Sequence, residues 1–437
     1  MGRQQIGPSH RPEEPGSAGP NGATPLQWLG VDATAELEEV VRALAAIPER
    51  GSASPGEREA AYWLSERFTE HGCEVAVEEE EAHGTFWWPM GLSSAAGLIA
   101  GVAGLAGMAR SSRSSGRILR RLAVLAGIAS AASLVDDVTS GPRILRKRLL
   151  PTRTCWNVVA RTGDPEANEV VVVMAHHDAP HTGRIFDQTA QRWFARRFPG
   201  IVERINTAPP LYWPVISGPI MVVLGSLFRK KSAVAYGTVA SAISAAVFAD
   251  IGRSPVNQGA NDNLSGVAGL VWLARALSER PVRGVRVIIA SCGSEESFQE
   301  GIIGFVKRHR HELPVSRTRF VNLETVGSPH LVLLEGEGPV VMRDYEATFK
   351  ALAGEVAAGE GISLTRGMRA RTTTDSLITA RAGYPTATLT SFDDCKELSN
   401  YHLMSDVPDN LEWGTVQDAA RLAEAIVREV GAHAVPL

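Results

Sequence analysis

Residues 169–178 read EVVVVMAHHD, an apolar run that ends directly in two histidines and an aspartate. The run has the length and the β-branched content of a strand that is buried on both faces. Side chains alternate along a strand, so His176 and Asp178 point to one face and His177 to the other. This favours His176 as a metal ligand, Asp178 as the carboxylate that orients ligands, and His177 as a packing residue. For the motif taken alone, a satisfied core histidine is the commoner alternative.

Two further apolar runs also lead into acidic residues. Residues 285–293, VRVIIASCG, precede the pair Glu295-Glu296, and residues 319–327, RFVNLETVG, contain Glu324. Open α/β sheets place their functional groups at the carboxyl ends of such strands. Adjacent acids repel each other, so a pair away from the surface needs positive charge nearby. We expect one glutamate of the pair to bind a metal and the other to accept a proton from water. A solvated surface pair is the alternative.

Two turns supply the remaining candidates. Asp262 lies in GANDNLSG, just before helical spacing of apolar residues over 264–277. Its two carboxylate oxygens can bridge two cations, although a helix cap is the commoner role for aspartate in such a turn. His402 lies in NYHLMSD with Asp406 close by, and a histidine held by a nearby acid is a usual ligand arrangement. The five clusters together predict a two-metal hydrolase site.

The order of these motifs resembles the co-catalytic di-zinc exopeptidases, the family of bacterial leucyl aminopeptidases, glutamate carboxypeptidase and the transferrin receptor. The chain carries H-x-D, N-D-N-x-S-G, E-E, N-L-E-x-x-G and Y-H-x-x-x-D in that order between residues 176 and 406. The resemblance implies an α/β fold with a mixed central β-sheet flanked by helices, of the phosphorylase/hydrolase-like kind. It also implies a zinc metallopeptidase, most simply an aminopeptidase, that uses a water molecule bridging the metals.

The resemblance further implies the metal ligands. One zinc ion would be held by His176, Asp262 and Glu324. A second would be held by Asp262, Glu296 and His402, so that Asp262 is the bridge. Oxygen and nitrogen ligands without a thiolate suit zinc, but they also suit manganese or cobalt. The choice of two zinc ions therefore follows from the resemblance and not from the ligands alone.

Three catalytic roles come from the same resemblance. Glu295 would be the general base, Asp178 the carboxylate that orients the site, and Tyr401 a hydrogen-bond donor to the tetrahedral oxyanion. Two departures from the family pattern concern a metal ligand and the shape of the pocket. The family usually has aspartate at the position of Glu324, and it often has a short Gly-Leu segment after the glutamate pair, where residues 297–305 read SFQEGIIGF.

Uncharged runs of helical length occur in two regions of the chain, one before the first motif and one between His176 and Asp262. Residues 86–108 are long enough to cross a bilayer core of about 30 Å, and after a basic segment comes a shorter apolar run over 122–135. Residues 205–228 and 232–249 repeat the arrangement around the basic triplet 229–231. Glycine, alanine and serine in these runs are typical of closely packed membrane helices. We predict an integral membrane protein with four hydrophobic helices in two hairpins; buried helices of a soluble insertion are the alternative.

Composition adds limits on domains and partners. With 437 residues, 44% hydrophobic and 21% charged, the chain can bury a large core, and its net charge of −4 gives no indication of nucleic-acid binding. We predict a disordered tail over 1–33 and one zinc peptidase domain over 34–437, with hairpin insertions at about 86–135 and 205–249. The four cysteines show no C-x-x-C spacing, so neither a disulfide framework nor a structural zinc site is indicated.

The predicted partners are a peptide or amide substrate and membrane lipid. Basic hairpin tips would, by the positive-inside rule, lie in the cytoplasm and leave the catalytic domain outside. We find no signal-peptide pattern at the start of the chain, so the side of the membrane stays open, as do the cleaved terminus and the oligomeric state. A glutaminyl-cyclase-like enzyme or another amidase is an alternative with the same chemistry. A catalytically silent membrane receptor or scaffold is a second, against which the retention of every ligand position argues.

Overall fold

A mixed β-sheet forms the centre of the molecule. The computed structural model describes residues 32–110, 112–207 and 210–434. The strands are β1 (Glu74–Ala82), β2 (Arg153–Gly163), β3 (Glu169–His176), β4 (Val285–Cys292), β5 (Thr318–Leu323), β6 (His330–Leu333), β7 (Gly336–Glu337), β8 (Arg343–Asp344), β9 (Arg369–Ala370) and β10 (Thr386–Phe392). Seven of them form the main sheet in the order β1-β2-β4-β3-β5-β10-β6, and β8-β7-β9 form a small second sheet.

Helices cover both faces of the main sheet. They are α1 (Asp32–Ala45), α2 (Pro55–Glu70), α3 (Trp87–Ala109), α4 (Arg113–Val138), α5 (Ile144–Leu149), α6 (Thr189–Arg197), α7 (Pro199–Val202), α8 (Trp213–Leu227), α9 (Lys231–Ile251), α10 (Ser265–Glu279), α11 (Glu300–His309), α12 (Ala347–Gly359), α13 (Asp375–Arg381) and α14 (Trp413–Ala434). This is the mixed sheet flanked by helices that the sequence predicts, so that prediction is confirmed. Of the predicted tail over 1–33, residues 1–31 lie outside the described part of the chain, and α1 begins at Asp32.

The central strand β3 is buried on both faces, as its run of valines predicts. Val171 and Val173 belong to the core that α1, α10 and α14 cover, whereas Val170 and Val172 pack in the core beneath α11. β4, β3, β5 and β10 run parallel to their neighbours in this part of the sheet. Because parallel strands share one direction, their four carboxyl ends meet at the same edge of the sheet. The predicted site residues follow three of those ends directly.

The two insertions form one bundle of four helices, in which α3, α4, α8 and α9 pack against one another. Small residues make the close approach possible. A Cβ added to Gly101 would lie 2.1 Å from Thr238 Oγ1, and one added to Gly237 would lie 2.4 Å from the carbonyl oxygen of Gly218. Contacts of this kind between helix backbones are typical of membrane helices.

Three of these helices are long and apolar enough to cross a membrane: Trp87–Ala109, Ser114–Val138 and Lys231–Ile251. α8 has 15 residues, which at 1.5 Å per residue is about 22 Å and shorter than a bilayer core of about 30 Å. The predicted count of four membrane-length helices is therefore not supported. Pro214 occupies the first turn of α8, a position that proline favours, and the helix begins only at Trp213 instead of near residue 205.

Candidate metal centre

The five predicted metal ligands converge at the carboxyl edge of the sheet. His176 is the last residue of β3, Glu324 follows β5 directly, and Glu296 lies four residues beyond the end of β4. Asp262 lies in a buried turn before α10, and His402 lies in the loop after β10. The sequence pattern works because each strand is mostly apolar and the carboxylates lie at or beyond its end. Charged side chains are thereby delivered to one small volume.

Within that volume the ligands form two groups that share one residue. His176 Nε2 lies 3.3 Å from Asp262 Oδ1 and 3.4 Å from Glu324 Oε1. On the other side, His402 Nε2 lies 3.5 Å from Asp262 Oδ2 and 3.4 Å from Glu296 Oε2. In each group the three ligand atoms lie within 4.8 Å of one another. The two oxygens of Asp262 thus face two different imidazoles, which is the geometry of a bridging carboxylate.

The residues fit a metal centre. His176 Nε2 and Glu296 Oε1 are buried and form no hydrogen bond within the described part of the chain. Buried polar atoms are costly without a partner, and three carboxylates crowd around these two atoms. Imidazole nitrogens and carboxylate oxygens are ligands that zinc accepts. We conclude that this chemistry is compatible with a zinc centre.

The electrostatics of the site point the same way. Burial raises the pKa of Glu295 well above its ordinary value, with the charge of His176 opposing the shift. Burial also raises the pKa of Glu296, and repulsion from Asp262 and Glu295 adds to the shift. Burial would raise the pKa of Asp262 too, but its contacts with His176 and His402 hold it below its ordinary value. Carboxyl groups that resist ionisation beside an ionised one indicate surplus negative charge, which a divalent cation would neutralise.

Asp178 holds the site together through both of its oxygens. Asp178 Oδ1 lies 3.3 Å from His176 Nδ1 and accepts the backbone N–H of Glu295 at 3.0 Å. Asp178 Oδ2 accepts the backbone N–H of Glu296 at 3.1 Å and the hydroxyl of Ser52 at 2.7 Å. The residue therefore orients one predicted ligand and fixes the backbone of the glutamate pair. His177 points away from this cluster and contacts Ser291 Oγ at 3.0 Å, as strand alternation predicts.

Glu295 is held by a residue that the sequence pattern does not reveal. Gln299 Nε2 donates a hydrogen bond to Glu295 Oε1 at 2.8 Å and another to Thr373 Oγ1 at 2.9 Å. Gln299 Oε1 in turn accepts the hydroxyl of Ser140 at 3.2 Å. Ser140 lies just beyond the end of α4, so the inserted bundle reaches the glutamate pair through a single side chain. The sequence offered one signal, because Gln299 lies in the segment that departs from the family pattern.

The role expected for Asp406 needs correction. Asp406 was predicted to hold His402, but its two oxygens accept the backbone N–H groups of Asn261 at 2.7 Å and of Asp262 at 3.2 Å. His402 Nδ1 is buried and forms no hydrogen bond with the described residues. Asp406 thus positions the bridging carboxylate, not the imidazole. The carboxylate of Asp406 binds these two backbone N–H groups because the turn before α10 leaves them without helical partners.

Other buried charges were also missed by sequence reasoning. The Glu57 carboxylate accepts hydrogen bonds from the backbone N–H and the hydroxyl of Ser294, at 2.9 and 2.8 Å, directly before the glutamate pair. Burial raises the pKa of Glu57 to about 8, and the charge of Asp178 adds to the shift. The guanidinium of Arg50 donates to the carbonyl oxygens of His177 and Gln258. These residues come from the segment that precedes β1, where no apolar strand marks them.

Two cavities meet at the metal centre, and Tyr401 lines both of them. The larger one has a volume of about 680 Å³ and extends toward α8 and α9. The smaller one, of about 180 Å³, lies on the side of Glu324 and is rich in threonine. The Tyr401 ring packs at 4.0 Å between centroids on His402 and at 5.8 Å on Phe186. Its place beside the ligands is compatible with the predicted contact to an oxyanion, which stays a prediction.

Comparisons with known proteins agree with this geometry. The model of peptidase family M28 matches residues 243–427. A search of curated protein sequences returned no significant match. Among solved structures, the fold is similar to that of an aminopeptidase from Aneurinibacillus sp. strain AM-1, at 14% identity over 91% of this chain and 93% of that chain, with a TM-score of 0.50.

Two further structures share the fold. The zinc aminopeptidase BSAP from Bacillus subtilis matches at 13% identity over 91% of this chain and 94% of that chain, with a TM-score of 0.50. A glutaminyl cyclase from Bacteroides thetaiotaomicron matches at 12% identity over 90% and 97% of the two chains, with a TM-score of 0.51. At such identities the likeness concerns the fold. Together with the match of the M28 family model to residues 243–427, it confirms the resemblance to the co-catalytic zinc exopeptidases that the motifs carry.

Proposed function

We propose that this chain is a membrane-anchored, zinc-dependent aminopeptidase. The observation that carries the proposal is the Asp262 carboxylate, whose two oxygens face the imidazoles of His176 and His402 at 3.3 and 3.5 Å. A carboxylate in this position can hold two cations at once, which is the arrangement that a co-catalytic hydrolase needs. The aminopeptidases with the same fold support the choice of an aminoacyl amide as substrate.

The proposed ligands are those of the two groups around Asp262. His176, Asp262 and Glu324 would hold one zinc ion, and Asp262, Glu296 and His402 the other. Zinc bound there would act as a Lewis acid on the scissile carbonyl and would make the attacking water more acidic.

Glu295 is the proposed general base. Its Oε1 is occupied by the hydrogen bond from Gln299, so Oε2 accepts the proton of the attacking water. The carbonyl carbon gains the hydroxyl, the C–N bond breaks, and Glu295 returns the proton to the leaving amine. Tyr401 would donate a hydrogen bond to the tetrahedral oxyanion, and Asp178 keeps the backbone of the glutamate pair in place.

The proposed membrane anchor is the inserted bundle, with α3, α4 and α9 crossing the bilayer and α8 packed beside them. The length and hydropathy of the three longer helices support this proposal. Large apolar side chains on the outside of the bundle support it as well, among them Ile99, Leu125 and Ile243. A contiguous apolar exterior of this kind marks a membrane or protein contact.

A glutaminyl cyclase is the second candidate, because one with the same fold matches most of both chains. In that reaction the amino group of an N-terminal glutamine attacks its own side-chain amide and ammonia leaves, so no water is consumed. The two candidates therefore differ in their products. A glutaminyl peptide would release ammonia with a cyclase and free glutamine with an aminopeptidase.

The test measures zinc content and hydrolysis of a panel of aminoacyl amides by detergent-extracted protein, before and after chelation. We expect zinc in the protein and a chelator-sensitive release of the N-terminal residue. Glu295→Gln should keep the zinc and lose turnover by about 10²-fold to 10⁴-fold, because it removes the proton acceptor but no ligand. Glu296→Gln is the matched control and should lose zinc as well. Equal activity of Glu295→Gln and wild type would refute the assignment of Glu295 as the base. A wild-type protein without zinc would favour the alternative of a catalytically silent receptor or scaffold.

A further inference from the structure

The larger cavity is built mainly by the inserted bundle and not by the peptidase fold. Its walls include Val215 and Ser217 of α8 and, from α9, the face that runs from Tyr236 to Ile251. Those α9 residues span about 22 Å of helix at 1.5 Å per residue. The cavity therefore follows a proposed membrane helix over most of its length. We call it the α8–α9 groove.

The chemistry of the groove is apolar along its length and charged at one end. Along α9 it is lined by Ile243, Val247, Phe248 and Ile251. The hydroxyl of Ser244 also lies in the wall but already donates to the carbonyl oxygen of Ala240, at 2.9 Å. No charged side chain of α8 or α9 lines the described wall. A ligand in this part of the groove would meet mainly apolar surface.

The charged end of the groove is the metal centre. Glu295, Glu296 and His402 line the α8–α9 groove, and Glu295 and Glu296 also line the smaller cavity. The scissile bond must lie at this junction, because the proposed base and a proposed ligand are there. The smaller cavity is less apolar than the groove, because hydroxyls from Thr325, Thr372, Thr373, Thr374 and Thr390 lie among apolar side chains such as Leu334 and Phe392. Thr372 and Thr373 also line the groove. One substrate that filled both cavities would be apolar on one side of its amide and polar on the other.

We propose that the enzyme acts on amides that carry a long apolar chain, which lies in the α8–α9 groove while the polar remainder of the substrate occupies the threonine-lined cavity. This inference rests on the proposed hydrolase function and specifies its substrate class. The outer part of the groove is exposed, since Tyr236 and Ile243 are 55% and 59% accessible. A chain already dissolved in the bilayer would reach the metal centre from the side of the bundle without passing through water.

The apolar chain can lie on either side of the scissile bond, and two substrate series distinguish these two arrangements. In N-acylglycines, from acetyl to dodecanoyl, the chain is on the carbonyl side. In leucine alkylamides, from leucinamide to leucine dodecylamide, it is on the amine side. Because burial of one methylene is worth about a fourfold gain in affinity, we expect kcat/KM to rise by about threefold to fourfold per methylene in one series, until the groove is full.

Variants that narrow the groove test whether the chain lies in it. Val247→Trp and Ile243→Trp place an indole in the wall and should flatten the dependence of kcat/KM on chain length. Val239→Trp is the matched control, because Val239 lies on the same helix, is 58% exposed and does not line the groove. It should keep the dependence of the wild type. Substrate partition into detergent is the same for all three variants and therefore cannot produce the difference. Zinc content and the melting midpoint of each variant show that it is folded.

The outcomes separate this inference from the proposed function. Hydrolysis of leucinamide without any effect of chain length in either series would overturn the groove inference and leave the aminopeptidase standing. A rise with chain length among N-acylglycines, with no release of leucine, would support the groove and overturn the aminopeptidase. A chain-length dependence that both groove variants keep would show that the chain binds elsewhere. No hydrolysis of either series by zinc-loaded protein would overturn both.

Discussion

The metal centre and the inserted bundle place apolar side chains differently, buried around the metal centre and exposed on the outside of the bundle. At the metal centre His176 and Asp178 are completely buried, and the apolar strands that carry them are buried as well. In the bundle, Ile99 and Leu125 are 69% and 65% exposed, while small polar residues such as Ser241 are buried between the helices. A protein in water hides apolar surface and keeps buried charge paired. An apolar exterior around small polar residues is instead stable in lipid. This difference between the two exteriors supports the proposed membrane anchor.

The largest effect on activity is expected at Asp262, because its carboxylate belongs to both proposed ligand groups. Asp262→Ala removes the one carboxylate that faces both imidazoles, so we expect zinc to be lost from both groups and turnover to fall by at least about 10³-fold. Metal analysis and hydrolysis of an aminoacyl amide measure the two quantities. Asp394→Ala is the control, because that carboxylate is 91% exposed, pairs with His330 and lines neither cavity at the metal centre. Full zinc content in Asp262→Ala would remove it as the bridge.

The contact between the two regions comes next in size. Arg146 is completely buried and binds both oxygens of Asp137, at 2.9 Å each, and Glu300 Oε1 at 3.1 Å. Asp137 ends the bundle helix α4, and Glu300 begins α11 behind the glutamate pair. Arg146→Met leaves the buried carboxylate of Asp137 without the guanidinium that binds both of its oxygens and leaves Glu300 with His83 and Ser297, so it should lower the free energy of unfolding by about 3–5 kcal/mol. Denaturant unfolding in detergent measures this change. Arg308→Met, which breaks the exposed pair with Glu80, should change the midpoint little.

The same contact predicts how stability depends on pH. Burial alone would raise the pKa of Glu300, but hydrogen bonds from His83 and the charge of Arg146 lower it from 4.5 to about 2. A group whose pKa is depressed by folding stabilises the protein above its unfolded pKa. We therefore expect this contribution, about 3 kcal/mol at neutral pH, to be lost as the pH falls from about 4.5 to about 2. In Glu300→Gln the free energy of unfolding should depend less on pH in that window. An unchanged pH dependence would contradict the assignment of this contribution to Glu300.

A smaller effect, on membrane insertion, is expected from a charge on the outside of the bundle. Ile99 lies near the middle of α3 and points outward. If α3 crosses a bilayer, Ile99→Arg should cost about 2.5–3.5 kcal/mol in membrane insertion and shift the protein out of the alkali-resistant membrane fraction. In a soluble insertion the same change at an exposed position would cost almost nothing. Val341→Arg is the control, since Val341 is 77% exposed on the peptidase domain. Equal membrane fractions for both variants would contradict the anchor.

The two regions also differ in how far the sequence predicts them. β3, β4 and β5 follow from their apolar runs, and the residues after each strand follow from where the run ends, because strands buried on both faces are mostly apolar. Contacts between distant loops left no such local signal. Asp406 therefore was assigned to the wrong partner, and Arg146 was not recognised as the link to the bundle. α8 came out shorter than its uncharged run because hydropathy does not register where proline allows a helix to begin.

The smallest effect concerns the side chain that joins the two regions. Gln299 donates to Glu295 Oε1 at 2.8 Å and accepts from Ser140, just beyond the end of α4. Gln299→Met keeps the size of the side chain but removes the amide N–H donor, so the carboxylate of Glu295 loses one charge-assisted hydrogen bond. We expect kcat to fall by about tenfold or somewhat more, with KM and zinc content unchanged, because Gln299 is not a ligand.

The split between kcat and KM separates this positioning role from a general loss of structure. Ser140→Ala is the matched variant, because it removes only the outer hydrogen bond of 3.2 Å and leaves the one to Glu295. It should lower kcat by less than Gln299→Met does. If both variants lose zinc, or if KM rises as much as kcat falls, then Gln299 supports the fold of the loop and not the base. If instead Ser140→Ala lowers kcat as strongly as Gln299→Met, the bundle itself sets the position of Glu295, and the two regions act as one unit in the reaction.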